Sequence, residues 1–183
     1  MRPFRIPPPP PGMPRRMRGW YVLLATVASA IVAAVPMCPL HDPQGRPLWR
    51  VEFVHDGDTV TCIDEANKPQ KIRLVGIDSP ELSQPFGREA SNALRHKLAA
   101  GRVRVDGDAR DQHGRLLGTL WVDDRNINRE LVADGWAWVF GGFNPDPDLL
   151  DAETAARTAR RGLWSDPRAQ APSDWRRDHP PHR

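Results

Sequence analysis

Residues Val54–Glu81 read VHDGDTVTCIDEANKPQKIRLVGIDSPE. Three strong acids, Asp58, Asp78 and Glu81, stand in this stretch beside apolar runs, with Arg73 between them. Thr59 to Ile63 is β-branched and apolar, which marks a strand, and Asp56-Gly57 before it is a turn signal. Asn67-Lys68-Pro69 is a second turn, and Lys71 to Ile77 reads as a further strand. Upstream, Leu48 to Val54 alternates as a half-buried strand does. Three strands joined by short turns predict a β-meander.

Downstream of Pro80 the period changes. Ala90, Leu94 and Leu98 recur every four residues, with Ala93 beside them, which predicts one buried face of a helix over about Phe86 to Ala100, ended by Gly101. Val103 to Val105 and Leu116 to Val122 read as strands. Asn126 to Ala133 reads as a short helix, and Trp136 to Phe140 as extended chain. The run PDPDLLDAETAARTARRG, residues 145–162, predicts a last helix with Asp148 near its start and arginines near its end. This order of elements suits a small α+β domain around a closed or nearly closed barrel.

The 183 residues carry a net charge of +3, but its distribution matters more than its sum. Residues 1–18 hold five Arg and no acid, and residues 167–183 hold four Arg against two Asp. The middle, 19–166, holds 17 basic residues against 21 acidic ones. The basic excess is therefore not the footprint of a broad nucleic-acid surface; phosphate binding has to come from a few placed arginines or a metal. Residues 1–18 are a basic, proline-rich leader, and Trp20 to Val35 carries no charge. Residues 19–38 are expected to act as a signal peptide or a membrane anchor, with the domain exported to the periplasm or medium, or tethered outside the membrane. The domain is expected over 44–167, and 168–183 is expected to be a disordered tail. Cys62 lies in a strand-like run and is expected to be a small buried residue; Cys38 and Cys62 show no metal-ligand spacing.

Asp58 opens the second strand and Asp78 closes the third. A meander can bring those ends together, and the two like charges then repel unless a cation lies between them. Arg73 is five residues before Asp78, which on an ideal strand puts them on opposite faces. Taken singly, each fragment has a plain structural reading: DGD is a turn, DSPE a turn or helix cap, and the Gly-Arg of DQHGR a loop with a solvated charge. Their order and spacing carry the signal.

VHDGDTV, then IRLVGIDSPE, then DQHGR resemble the three signature blocks of the staphylococcal nuclease family, and the likeness runs over about residues 48–165 to the closing RRGLW. The resemblance implies a five-stranded OB-type barrel with three helices and a Ca²⁺-dependent nuclease acting on DNA and RNA as a monomer. By the same resemblance Asp58, Asp78 and the backbone carbonyl of Ser79 would ligate Ca²⁺, and Asp56 would support them. Glu81 would hold or deprotonate the attacking water. Arg73 and Arg115 would grip the phosphate and stabilise its developing charge, and the products would carry 3′-phosphate ends.

The chain also departs from that pattern. Its single tyrosine is Tyr21, so the tyrosines expected near phosphate and base are missing; Gly141 and Phe143 stand at the positions aligned with them, and Phe143 could stack on a base. The link LSQPFGRE after Glu81 is short. Trp121, Trp136, Trp138 and Trp164 are read as packing residues. The alternative to an enzyme is a non-catalytic barrel that binds nucleic acid or protein. Such modules have lost the acids and arginines, whereas Asp58, Arg73, Asp78, Glu81 and Arg115 are all present here.

Overall fold

The computed structural model describes residues 41–140 and 145–180, together with the isolated Pro14. The leader, the segment 19–38, Cys38 and Phe143 lie outside the described residues. Among the described residues no helix is long and apolar enough to cross a membrane.

Strands β1 (Trp49–Val54), β2 (Thr59–Ile63) and β3 (Pro69–Leu74) form the expected antiparallel meander. Strand β5 (Arg102–Asp106) pairs antiparallel with β1, and β6 (Leu116–Val122) pairs antiparallel with β5. The barrel closes where β6 returns to β3 in parallel, Ile72 opposite Leu116 and Leu74 opposite Gly118. Five strands thus make a closed barrel, and the sheet has no free edge there. The two-residue β7 (Arg125–Asn126) extends β6, while β4 (Ile77–Asp78) pairs with β8 (Trp138–Val139) outside the barrel. Strand β6 alternates strictly between buried and half-exposed positions, as period two requires.

The barrel interior is aliphatic: Val60, Ile72, Leu74, Val103 and Leu120 are buried, and Cys62 among them is a packing residue whose thiol burial pushes up to about 12. Helix α1 (Gly87–Lys97) lays Leu94 on this core, with Leu98 just past its end, and buries Ala90 beside Gly57. Helix α2 (Ile127–Ala133) is capped by Asn126, whose side chain accepts from the Arg129 amide at 3.0 Å. Helix α3 (Pro147–Thr158) begins with proline in its first turn and a capping Asp146.

Two expectations need correction. The third strand does not run unbroken from Lys71 to Ile77: it stops at Leu74, turns through Val75–Gly76, and resumes as β4. Gly76 has φ +77°, a left-handed conformation that glycine adopts without a Cβ clash. The tail is not wholly disordered either. Pro172–Asp178 forms a fourth helix, α4. Proline lies in its first turn, Asp174 follows, and Arg176 and Arg177 close it, an order that suits the helix dipole. No apolar stripe announces it; apart from buried Pro172 its hold on the domain is polar.

Glu130 on α2 ties three elements together. It accepts from Arg125 Nε at 2.7 Å and Nη2 at 2.5 Å, and from Lys97 Nζ of α1 at 3.0 Å. The Arg125 hydrogen bonds hold its carboxyl below the usual range, with partial burial opposing and Lys97 assisting. A depressed folded-state pKa gives stability that is present above the unfolded value and lost as pH falls through the folded one. Glu130→Gln is therefore expected to unfold at lower urea than the wild type at pH 7. The gap should shrink as pH drops below the ordinary glutamate value of about 4.3. A gap that stays constant from neutral to strongly acid pH would refute the assignment.

Candidate active site

One end of the barrel carries a cavity of about 760 Å³, lined among others by Asp58, Arg73, Asp78, Glu81, Arg115 and Phe140. The elements that supply these residues are the start of β2, the end of β3, the β4 strand with the loop after it, the turn before β6 and the end of β8.

The Asp56–Asp58 turn builds the first wall. Asp56 accepts the Asp58 amide at 3.0 Å, as a turn-forming aspartate does. Asp58 then enters the interior, where its Oδ2 accepts from the Ser79 amide at 2.7 Å and its Oδ1 from the Thr59 hydroxyl at 3.1 Å. Gly57 makes this possible, because a Cβ there would lie 2.7 Å from Ser79 Cβ. Burial pushes the Asp58 carboxyl up to about 7; the Arg73 guanidinium and the Ser79 amide pull against this, and Asp56 and Asp78 reinforce it.

Arg73 lies between the two aspartates. Its Nη1 forms an ion pair with Asp58, and its Nη2 donates to Asp78 Oδ1 at 2.8 Å. The strand-parity objection to this meeting disappears because the chain turns at Val75–Gly76 between Arg73 and Asp78. Buried Asn128 of α2 helps fix that turn: its Nδ2 donates to Val75 O at 2.9 Å and to Gly118 O at 3.2 Å, while its Oδ1 accepts from the Leu120 amide.

Glu81 follows from β4 on a tight loop. Its amide donates to Gln84 Oε1 at 3.2 Å and its carbonyl accepts from the Gln84 amide at 2.8 Å. The same carbonyl lies against Gly87, where a Cβ would come within 1.9 Å of it. The short LSQPFGRE link is thus a compact turn that leads straight into α1.

Arg115 is oriented by its own loop. Asp111 Oδ1 accepts the amides of His113 and Arg115, and Asp111 Oδ2 accepts Arg115 Nε at 2.7 Å. Among the described residues the Arg115 Nη atoms have no hydrogen-bond partner, so two donors stay free in a cavity wall.

Two lining residues had no separate sequence signal. Arg176 of α4 donates Nη2 to Asp78 Oδ2 at 2.9 Å and Nη1 to Glu81 Oε1 at 2.8 Å; it sits in a tail with no periodicity to flag it. Phe140, 56% exposed, lines the cavity, and its amide donates to Gly76 O at 2.9 Å; Phe143, the residue expected to stack on a base, lies outside the described residues. Trp138 and Trp164 pack edge to face at 5.0 Å, as packing residues should.

The donor set fits a hard cation. Asp58 and Asp78 offer carboxylate oxygens within reach of a single guanidinium, and Ser79, directly after Asp78 in the chain, has a buried hydroxyl that lacks a hydrogen-bond partner. Ca²⁺ takes such all-oxygen ligands. Among the described residues no group of three or more His, Cys, Asp or Glu side chains forms a metal cluster, so a bound ion here would depend on backbone and water for its remaining ligands.

The staphylococcal nuclease homologue family model matches residues 71–166. An uncharacterized endonuclease of Haemophilus influenzae is 38% identical over 128 residues, 70% of this chain and 72% of its own. Protein ParB of Escherichia coli is 37% identical, over 89% of this chain and 95% of its own. A micrococcal nuclease of Shigella flexneri is 33% identical, over 88% and 96% respectively.

Proposed function

The chain belongs to the staphylococcal nuclease family, and from that premise we propose that it is a Ca²⁺-dependent nuclease that cuts DNA and RNA and leaves 3′-phosphate ends. Membership makes it a nuclease, a hydrolase that cleaves within nucleic-acid chains. The observation that carries the finer reading is the single cavity in which three carboxylates and the arginines Arg73 and Arg115 meet.

Asp58, Asp78 and the Ser79 carbonyl would hold Ca²⁺, which supplies Lewis-acid charge to a phosphate oxygen. Arg115 presents its free Nη donors to the same phosphate as a planar fork. Arg73 holds the two aspartates in place and adds positive charge to the wall. Charge that develops on the phosphoryl oxygens at the transition state is met by donors already fixed in position, which lowers the barrier more than it tightens substrate binding. Glu81 orients water for in-line attack and takes its proton. Phe140 offers a ring to a neighbouring base; Phe140→Ala is expected to raise KM for a short single strand by about 5- to 150-fold, the value of about 1–3 kcal/mol for one stacked base. An unchanged KM would remove Phe140 from the substrate site.

The full chain should cleave single-stranded DNA and RNA in Ca²⁺ and stop in excess chelator. Fragments should accept a 5′ label from a polynucleotide kinase without prior phosphatase, since 3′-phosphate products carry free 5′ hydroxyls. Cleavage that persists in chelator, or fragments that need phosphatase first, would overturn the respective part of the reading. We further propose a monomer that is exported or tethered through residues 19–38; recovery of a tagged full chain in the soluble cytoplasm would refute export.

A further inference from the structure

Helix α4 brings a third guanidinium to the candidate active site. Arg176 Nη2 donates to Asp78 Oδ2 at 2.9 Å, and its Nη1 reaches Asp78 Oδ1 at 3.4 Å and Glu81 Oε1 at 2.8 Å. Arg73 Nη2 already donates to Asp78 Oδ1 at 2.8 Å. Both oxygens of Asp78 therefore accept from guanidiniums, and one oxygen of Glu81 does too. The positive charge of Arg176 stands between an aspartate that would ligate Ca²⁺ and the glutamate that would hold the water. A divalent ion bound to Asp78 oxygens at about 2.3–2.6 Å would face that guanidinium at a separation where like charges repel strongly.

The helix that carries Arg176 is lightly attached. It spans seven residues, and its first turn has no side-chain cap. Gln84 Nε2 donates to Gln170 O at 2.6 Å, Pro172 is buried, and the ion pairs of Arg176 complete the docking. Gln84 belongs to the same turn that holds Glu81, so the tail touches the site at its most sensitive loop.

We propose that α4 is an internal stopper whose Arg176 occupies the charge position of the cation, so that helix docking and divalent-ion binding exclude one another. The proposal rests on the reading of Asp78 as a cation ligand. It makes the nuclease latent at low calcium: the carboxylates are neutralised from within until the ion outcompetes the tail. The substrate phosphate then enters a cavity from which Arg176 has withdrawn.

Calcium titration of the full chain by calorimetry tests this, using wild type, Arg176→Gln and Arg177→Gln. Arg177 pairs with Asp174 on the exposed side of the same helix and controls for loss of one nearby charge. Arg176→Gln should bind Ca²⁺ at least tenfold more tightly, and Arg177→Gln within twofold of wild type. Hydrogen exchange of residues 172–178 should quicken on adding Ca²⁺ to wild type, and should already be fast in Arg176→Gln without it. Equal finite affinities for wild type and Arg176→Gln, or exchange in wild type that ignores Ca²⁺, would overturn the stopper alone. No calcium binding by any of the three proteins would overturn the cation site itself, and the stopper with it.

Discussion

Glu81→Gln is expected to lower phosphodiester cleavage by about 10²- to 10⁴-fold, the usual worth of a positioned general base. The carboxylate sits on a loop with little freedom. Its backbone is pinned by Gln84 on both sides, and its carbonyl packs against Gly87 in space that a Cβ there would fill. The substitution keeps shape and volume; it removes the negative charge, and with it the ability to accept a proton and the ion pair to half-exposed Arg176, so the barrel should be untouched. Thermal unfolding within a degree or two of wild type, together with the rate loss, separates a chemical role from a structural one. Activity within threefold of wild type would mean that water is activated elsewhere.

Arg73→Ala carries the largest expected loss of stability. Asp58 and Asp78 have side chains only 7% and 6% exposed, and Arg73 neutralises both. Removing one partner of a buried ion pair costs about 3–5 kcal/mol; Asp78 keeps Arg176 as a counterion, so the uncompensated charge falls on Asp58. Burial already pushes Asp58 up to about 7 with Arg73 present. In the variant a proton can take the place of the guanidinium at low pH, so the cost should be large at pH 8 and smaller at pH 5. Urea unfolding at the two pH values measures this. Added Ca²⁺ should recover part of the loss at pH 8, since an ion that binds only the folded state stabilises it by mass action. A loss below about 1 kcal/mol at pH 8, well under the range for a broken buried pair, would show that Arg73 is not what keeps the aspartates charged.

The meander and the helices were legible because their periods are local. Ala90, Leu94 and Leu98 declare a helix face, and Thr59 to Ile63 declares a strand, with no knowledge of the partner. The parallel pairing of β3 with β6 was not legible: nothing in Ile72 or Leu116 names the other, and only three-dimensional closure brings them together. The meeting of Arg73 with Asp78 failed on strand parity because a two-residue break at Val75–Gly76 reads as continuous apolar chain. Asn128 was hidden for a different reason. A buried asparagine that hydrogen-bonds three backbone groups looks, in sequence, like any polar residue on a short helix. The tail misled because α4 docks through one guanidinium, one amide and a single buried proline instead of an apolar face, and composition cannot distinguish that from a solvated end.

The seam between β3 and β6 also sets an order of events during synthesis. Asp58, Arg73, Asp78 and Glu81 all leave the ribosome before Arg115 and the strand that follows it. The early meander cannot be sealed until that later strand arrives, and bridging such a gap in sequence slows the search for the native state. A half-made chain therefore carries its acids and Arg73 without Arg115, and the cavity wall that Arg115 supplies arrives only with the strand that closes the cylinder.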